Sequence, residues 1–146
     1  MRGDKPGGPI CWRLHIPVPP ERVFDALNSD DGRAAFWAES ARESDGHIEF
    51  RFVNGFCCRC RILERRRPTS FAVHYIGAPV RFELKPDGDG GTDLELTHDG
   101  VSDDEWQEVH AGWLNVLFPL KAFLAHGVDL RNHDPDRDWD RGYVDQ

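Results

Sequence analysis

No apolar run in the 146 residues approaches the roughly 20 needed to cross a bilayer, which excludes a spanning helix and membrane insertion. The amino terminus, Met1-Arg2-Gly3-Asp4-Lys5-Pro6-Gly7-Gly8, lacks the apolar core of an export signal. Residues 1–9 therefore read as a short disordered leader. The expected compartment is the cytoplasm, and the four cysteines are expected as reduced thiols. Basic charge is also scarce: 18 Lys and Arg against 26 Asp and Glu leave a formal net charge of −8. Neutralising phosphates needs a basic surface, so a nucleic-acid binder is excluded. The local run Arg59, Arg61, Arg65-Arg66-Arg67 reads as a solvated strand face and turn. There is no internal repeat and no linker, and the length suits one domain with its own core.

What the chain does have is alternation. Ile10, Trp12, Leu14 and Ile16 share one face of a first strand, ended by Pro17, Pro19 and Pro20. Pro20 and Glu21 suit the first turn of a helix that carries Val23, Phe24 and Leu27. After Asn28-Ser29-Asp30-Asp31-Gly32, a second short helix over about 31–37 would turn Ala35, Phe36 and Trp37 inward. Five further strands follow. Their inward residues are Ile48, Phe50 and Phe52; Cys58, Cys60 and Ile62; Phe71, Val73 and Tyr75; Val80, Phe82 and Leu84; and Thr92, Leu94, Leu96 and His98. Asn54-Gly55 predicts a two-residue hairpin between the first two of these. One-sided alternation in consecutive strands predicts an antiparallel meander with one wet face.

The last third carries the longest helix. It opens on Ser102-x-x-Glu105, the pattern of a capping box, and stops at Gly127. Trp106, Val109, Trp113, Val116, Leu117, Leu120 and Leu124 form its apolar stripe, with His110 on the same side. Pro119 predicts a kink, because it lacks a backbone donor and clashes with the Asn115 carbonyl. Residues 10–127 thus form one α+β domain, with a long helix across a curved six-stranded sheet. Residues 128–146 read as a polar tail anchored by Trp139 and Tyr143, able to cover a cavity mouth or a neighbouring subunit.

Cys57-Cys58-x-Cys60 is the obvious metal-like cluster, but adjacent strand residues point to opposite faces and two further ligands are missing, so no metal site is expected. The cysteines read as small core residues beside which a ligand has room. Asp103-Asp104-Glu105 suits a first helical turn. Asp134, Asp136, Asp138 and Asp140 lack the glycine and glutamate placement of a calcium loop. His110, between Trp106 and Trp113, reads as a core histidine or as a polar group that orients a ligand or acts as acid or base, with Tyr75 as its counterpart from the sheet.

Three stretches carry a family resemblance. They are Ile16-Pro17-Val18-Pro19-Pro20-Glu21-Arg22-Val23-Phe24-Asp25-Ala26-Leu27, then Gly91-Thr92-Asp93-Leu94-Glu95-Leu96-Thr97-His98, and Gly112-Trp113 with Leu117 and Leu120. In this order the chain resembles the helix-grip fold of the START and birch-pollen-allergen superfamily. More narrowly, it resembles the bacterial single-domain relatives of the activator of the ninety-kilodalton heat-shock chaperone ATPase. The resemblance implies an apolar cavity between sheet and long helix, and it brings no catalytic set and no cofactor. The expected lining is Trp12, Phe50, Phe52, Cys60, Phe71, Tyr75 and Phe82 from the sheet, and Trp106, His110, Trp113 and Leu117 from the helix. The expected partner is a hydrophobic small molecule, lipid-, aromatic- or polyketide-like. That reading requires the space between sheet and helix to stay partly unfilled. The alternatives are a co-chaperone-like module that docks on a chaperone and a cyclase- or hydrolase-type enzyme using His110 and Tyr75.

Overall fold

Pro17, Pro19 and Pro20 separate β1 (Ile10–Ile16) from α1 (Pro20–Asn28) in the computed structural model, which describes residues 5–146. Pro20 opens α1 where its missing donor costs nothing. The expected leader falls partly outside the described residues. Within them, the Gly8 carbonyl accepts a bond from Trp106 Nε1 at 2.8 Å.

A tight corner joins α1 to α2 (Asp30–Phe36). Ser29 Oγ accepts from the Gly32 amide at 3.0 Å, and a Cβ on Gly32 would lie 2.4 Å from the Ala26 carbonyl oxygen. Only glycine fits there. Arg33, fully buried, fastens the same corner by donating to the Leu27 and Ala41 carbonyls, each at 3.0 Å, and to Asp30. A buried guanidinium is tolerated when its donors are matched this way. This corner aims Phe36 and Trp37 into the core, as the sequence predicts.

The sheet has seven strands, not six. The additional one is β2 (Ser40–Ser44), followed by β3 (His47–Arg51), β4 (Cys57–Arg66), β5 (Ser70–Tyr75), β6 (Ala78–Pro86) and β7 (Thr92–His98). Every pairing is antiparallel, and the open order is β1-β7-β6-β5-β4-β3-β2. Ser-Ala-Arg-Glu-Ser in β2 carries no apolar alternation. The legible sign was Asp45-Gly46, which joins β2 to β3 with φ of 52° and 74°, the two positive values of a two-residue hairpin.

Asn54-Gly55 does not close a two-residue turn. The Phe52 amide donates to the Phe56 carbonyl at 2.9 Å and the Gly55 amide to the Phe52 carbonyl at 3.0 Å, so 53–55 form a longer loop with Gly55 at φ 88°. The turn before β6 is Ile76-Gly77, one residue earlier than Gly77-Ala78-Pro79. Ile76 holds φ 48°, a costly conformation for a β-branched residue.

The C-terminal helix runs as α3 (Asp103–Gly112) and α4 (Leu114–His126). The irregularity falls at Trp113, while Pro119 lies inside α4. Glycine is a poor helix former, and Gly112 precedes the indole that turns into the core. Bonds from the Trp113 amide to the Val109 carbonyl (3.1 Å) and from the Leu117 amide to the Trp113 carbonyl (2.8 Å) keep the ladder running through. The capping box is not closed: Ser102 Oγ meets Glu105 Oε1 at 3.1 Å instead of capping a backbone amide. Gly127, at φ 63°, ends the helix as predicted. No helix among the described residues is long and apolar enough to cross a membrane.

Candidate functional site

Directly beneath the helix the space is filled. Trp37, from the end of α2, packs against Phe50 (centroids 4.7 Å apart), Phe82 (5.6 Å) and Trp113 (5.8 Å), and Tyr75 lies 5.2 Å from Trp113. Such edge and tilted contacts add to the burial of large rings. Trp113 Nε1 donates to His98 Nδ1 at 3.1 Å. His98 then carries its hydrogen on Nε2, facing the carbonyls of Tyr75 (2.8 Å) and Ala78 (3.2 Å); the tautomer follows from these partners. Burial holds its pKa below the ordinary histidine value, so it is a neutral bridge between β7, the β5–β6 turn and the helix.

The open volume lies beside this cluster. A cleft of about 590 Å³ runs between the Phe52–Phe56 loop, Ile76, the side of α3 and α4, and the tail. Its floor is Trp37, Tyr75 and Trp113, all buried. Its mouth carries Phe56, 44% exposed, with Glu105, Glu108, Trp139 and Asp140. Tyr75 Oη accepts from Trp37 Nε1 at 3.4 Å, and burial pushes its pKa well above the ordinary phenol value, so the hydroxyl stays protonated.

Of the residues the sequence proposes, Phe52, Tyr75 and Trp113 line the cleft. Phe50 and Phe82 belong to the filled cluster, Phe71 packs on Phe24, and Leu117 is buried away from the opening. Cys60 is buried and donates to Cys58 Sγ at 3.6 Å; that bond, then burial, holds Cys60 well above the usual thiol value. Trp12, His110 and Trp106 form a closed stack with centroids 4.6 and 4.7 Å apart, and Trp12 Nε1 donates to the His110 carbonyl at 3.0 Å. His110 and Tyr75 are thus not brought together. The stripe Trp106, His110 and Trp113 faces the sheet, and Glu105, Glu108, Val109 and Gly112, on the adjacent face of α3, border the cleft. Among the described residues no three His, Cys, Asp or Glu side chains gather as metal ligands.

The sequence did not show what holds the tail. Arg131, 8% exposed, donates to the Ala38 carbonyl at 2.9 Å, the Ala34 carbonyl at 2.7 Å and Asp129 at 3.0 Å. Ala34 and Ala38 flank Trp37 at the end of α2, where carbonyls lack helical partners. His133 bridges Glu39 (2.6 Å) and Asp129 (2.7 Å), and these carboxylates, Asp129 first, raise its pKa. Burial opposes ionisation of Asp129, but Arg131 and His133 outweigh it and hold its pKa at about 2. Trp139 Nε1 donates to Glu108 at 3.0 Å, and Asn54 Nδ2 to Asp140 at 3.3 Å, so the tail reaches α3 and the Phe52–Phe56 loop. Tyr143 is 41% exposed.

The chain forms an open antiparallel sheet with a C-terminal helix and two short helices after the first strand, and its sequence matches a family model over residues 17–125, that of Activator of Hsp90 ATPase homolog 1-like protein. The chain belongs to this family. Its fold is that of a solved protein from Staphylococcus saprophyticus (TM-score 0.73, 23% identity, 84% of this chain and 96% of that one). The Aha1 dimer from Colwellia psychrerythraea is similar (TM-score 0.72, 23% identity, 82% and 97%), as is the AHSA1-like protein from Aeromonas hydrophila (TM-score 0.68, 21% identity, 79% and 90%). No curated protein matches the sequence significantly. The family membership accords with the helix-grip superfamily to which the sequence pointed.

Proposed function

We propose that this family member binds a small hydrophobic or aromatic molecule in the cleft between the Phe52–Phe56 loop, α3 and the tail. The observation that supports this best is the volume of about 590 Å³ floored by the buried rings of Trp37, Tyr75 and Trp113. Sites for small ligands are of this size, apolar in the main, with a few polar groups that set orientation. Burial of the ligand's apolar surface, at about 25 cal/mol per Å2 before ordering costs, would drive binding. The Tyr75 hydroxyl and the mouth carboxylates would orient it.

Native mass spectrometry of the purified chain, followed by a thermal-shift screen of neutral aromatic compounds, tests this reading. A binder raises the melting temperature with its concentration, because it stabilises only the folded state. Its chemical-shift changes should centre on the indole protons of Trp113 and Trp139. A screen with no stabilising compound, or one whose hits shift only resonances remote from the cleft, would sink the proposal.

A chaperone-directed role is the second reading, supported by the family description. Recovery of a chaperone in a pull-down, together with a changed ATPase rate, would favour it over the small-molecule reading.

A further inference from the structure

We propose, building on the binding reading above, that the cleft selects organic amines: ligands with an apolar or aromatic body, an oxygen acceptor at the inner end and a protonated nitrogen at the mouth. Two independent observations carry this.

The first is the charge of the mouth. Glu105, Glu108 and Asp140 line it, and among the described residues no lysine, arginine or histidine does. Their partners are neutral: Ser102 Oγ at 3.1 Å for Glu105, Trp139 Nε1 at 3.0 Å for Glu108 and Asn54 Nδ2 at 3.3 Å for Asp140. Four acids elsewhere in the chain do pair with arginines: Asp25 with Arg67, Glu64 with Arg81, Asp134 with Arg137 and Asp138 with Arg141. Two of those arginines are in the tail itself, each paired with its own aspartate. The mouth therefore presents three carboxylates with no cationic side chain among its lining, beside the aromatic side chains of Phe56 and Trp139. Carboxylates beside aromatic faces favour a bound cation, and the net charge of −8 steers cations towards the protein. The same arrangement opposes a fatty acid or any other anionic ligand.

The second observation is the floor. Tyr75 is 6% exposed, and its hydroxyl accepts from Trp37 Nε1. Its own proton meets no acceptor among the described residues. A buried donor favours a partner, and Tyr75 lines the cleft. A carbonyl, ether or phenolic oxygen at the inner end of the ligand supplies that acceptor.

Three probes with one 6-methoxynaphthalene body and an ethylamine, ethanol or acetate side chain test the inference, by chemical-shift titration of the full chain. The expected order is amine, then alcohol, then carboxylate, with amine and carboxylate at least tenfold apart at low salt. Screening should narrow the gap to severalfold at 0.5 M salt. Glu108→Gln should cut the amine-to-carboxylate ratio several-fold. Tyr75→Phe should weaken all three probes by a common factor, since each carries the same methoxy oxygen. If the alcohol binds and the three affinities agree within twofold, or the order is reversed, the charge preference is overturned while the binding reading stands. If none of the three moves the cleft resonances, both fall.

Discussion

The two flanks of α3 are built from similar residues and end differently. On one flank Trp12, His110 and Trp106 stack face to face and close the space. On the other, Val109 and Gly112 face a cleft that Trp37, Tyr75 and Trp113 floor but do not fill. Aromatic content alone therefore does not mark a pocket. Parallel stacking between neighbouring elements fills a space, whereas a missing side chain at Gly112 and a loop held open by Gly55 leave one.

The widest separation between the flanks should appear in Trp113→Ala. It removes a ring shared by core and cleft floor and leaves His98 Nδ1 without its donor, so a loss of about 4 kcal/mol is expected in denaturant unfolding. Arg131→Ala comes next, at about 3 kcal/mol, because the carbonyls of Ala34 and Ala38 lose buried donors. Protease cleavage in the tail should rise sharply with it; unchanged cleavage would show that the tail docks without this side chain. His110→Ala should cost about 2 kcal/mol, from two lost ring stacks, and leave probe binding in the cleft intact. Lost binding would place His110 in the site and break the contrast between the flanks.

The tail should also respond to pH. The folded-state pKa of His133 is raised, so its contribution is fully present below the ordinary histidine value and fades as pH rises through the raised one. Asp129 is depressed to about 2, so its contribution is present above the ordinary aspartate value and fades as pH falls towards 2. Docking is therefore tightest in mildly acidic solution. Thermal melts of the wild type minus His133→Gln should differ below about pH 6.5 and converge at alkaline pH. The imidazole is 40% exposed, so the difference should stay below about 1 kcal/mol. Glu108→Gln should have the smallest effect on stability, since it keeps an acceptor for Trp139.

Elements with strict alternation were legible: β5, β6 and β7 bury the residues their pattern assigns, while β1 buries Ile10 and Ile16 and half-buries Trp12 and Leu14. The helix after Ser102 was legible too, and of its stripe Val109, Trp113 and Val116 border the cleft, while Trp106 and His110 stack with Trp12. Whether a ring such as Phe82 meets another ring or a void depends on Trp37, which arrives from another element through the Gly32–Arg33 corner. Long-range insertion of that kind leaves no local periodicity. The tail anchors were hidden for a related reason: Arg131 reads as a surface charge until the ends of α2 offer it unpaired carbonyls. Phe56, Asn54 and Glu108 were equally silent, because they face an opening between elements and follow no stripe.

The strand that escaped the sequence has a use of its own. β2 is one edge of the open sheet, and an edge exposes backbone donors and acceptors that invite a further strand from another molecule. Five residues long, bearing Arg42 and Glu43, it offers such a strand a short and charged template. The polar composition that made β2 hard to recognise also guards the sheet against growing by self-association.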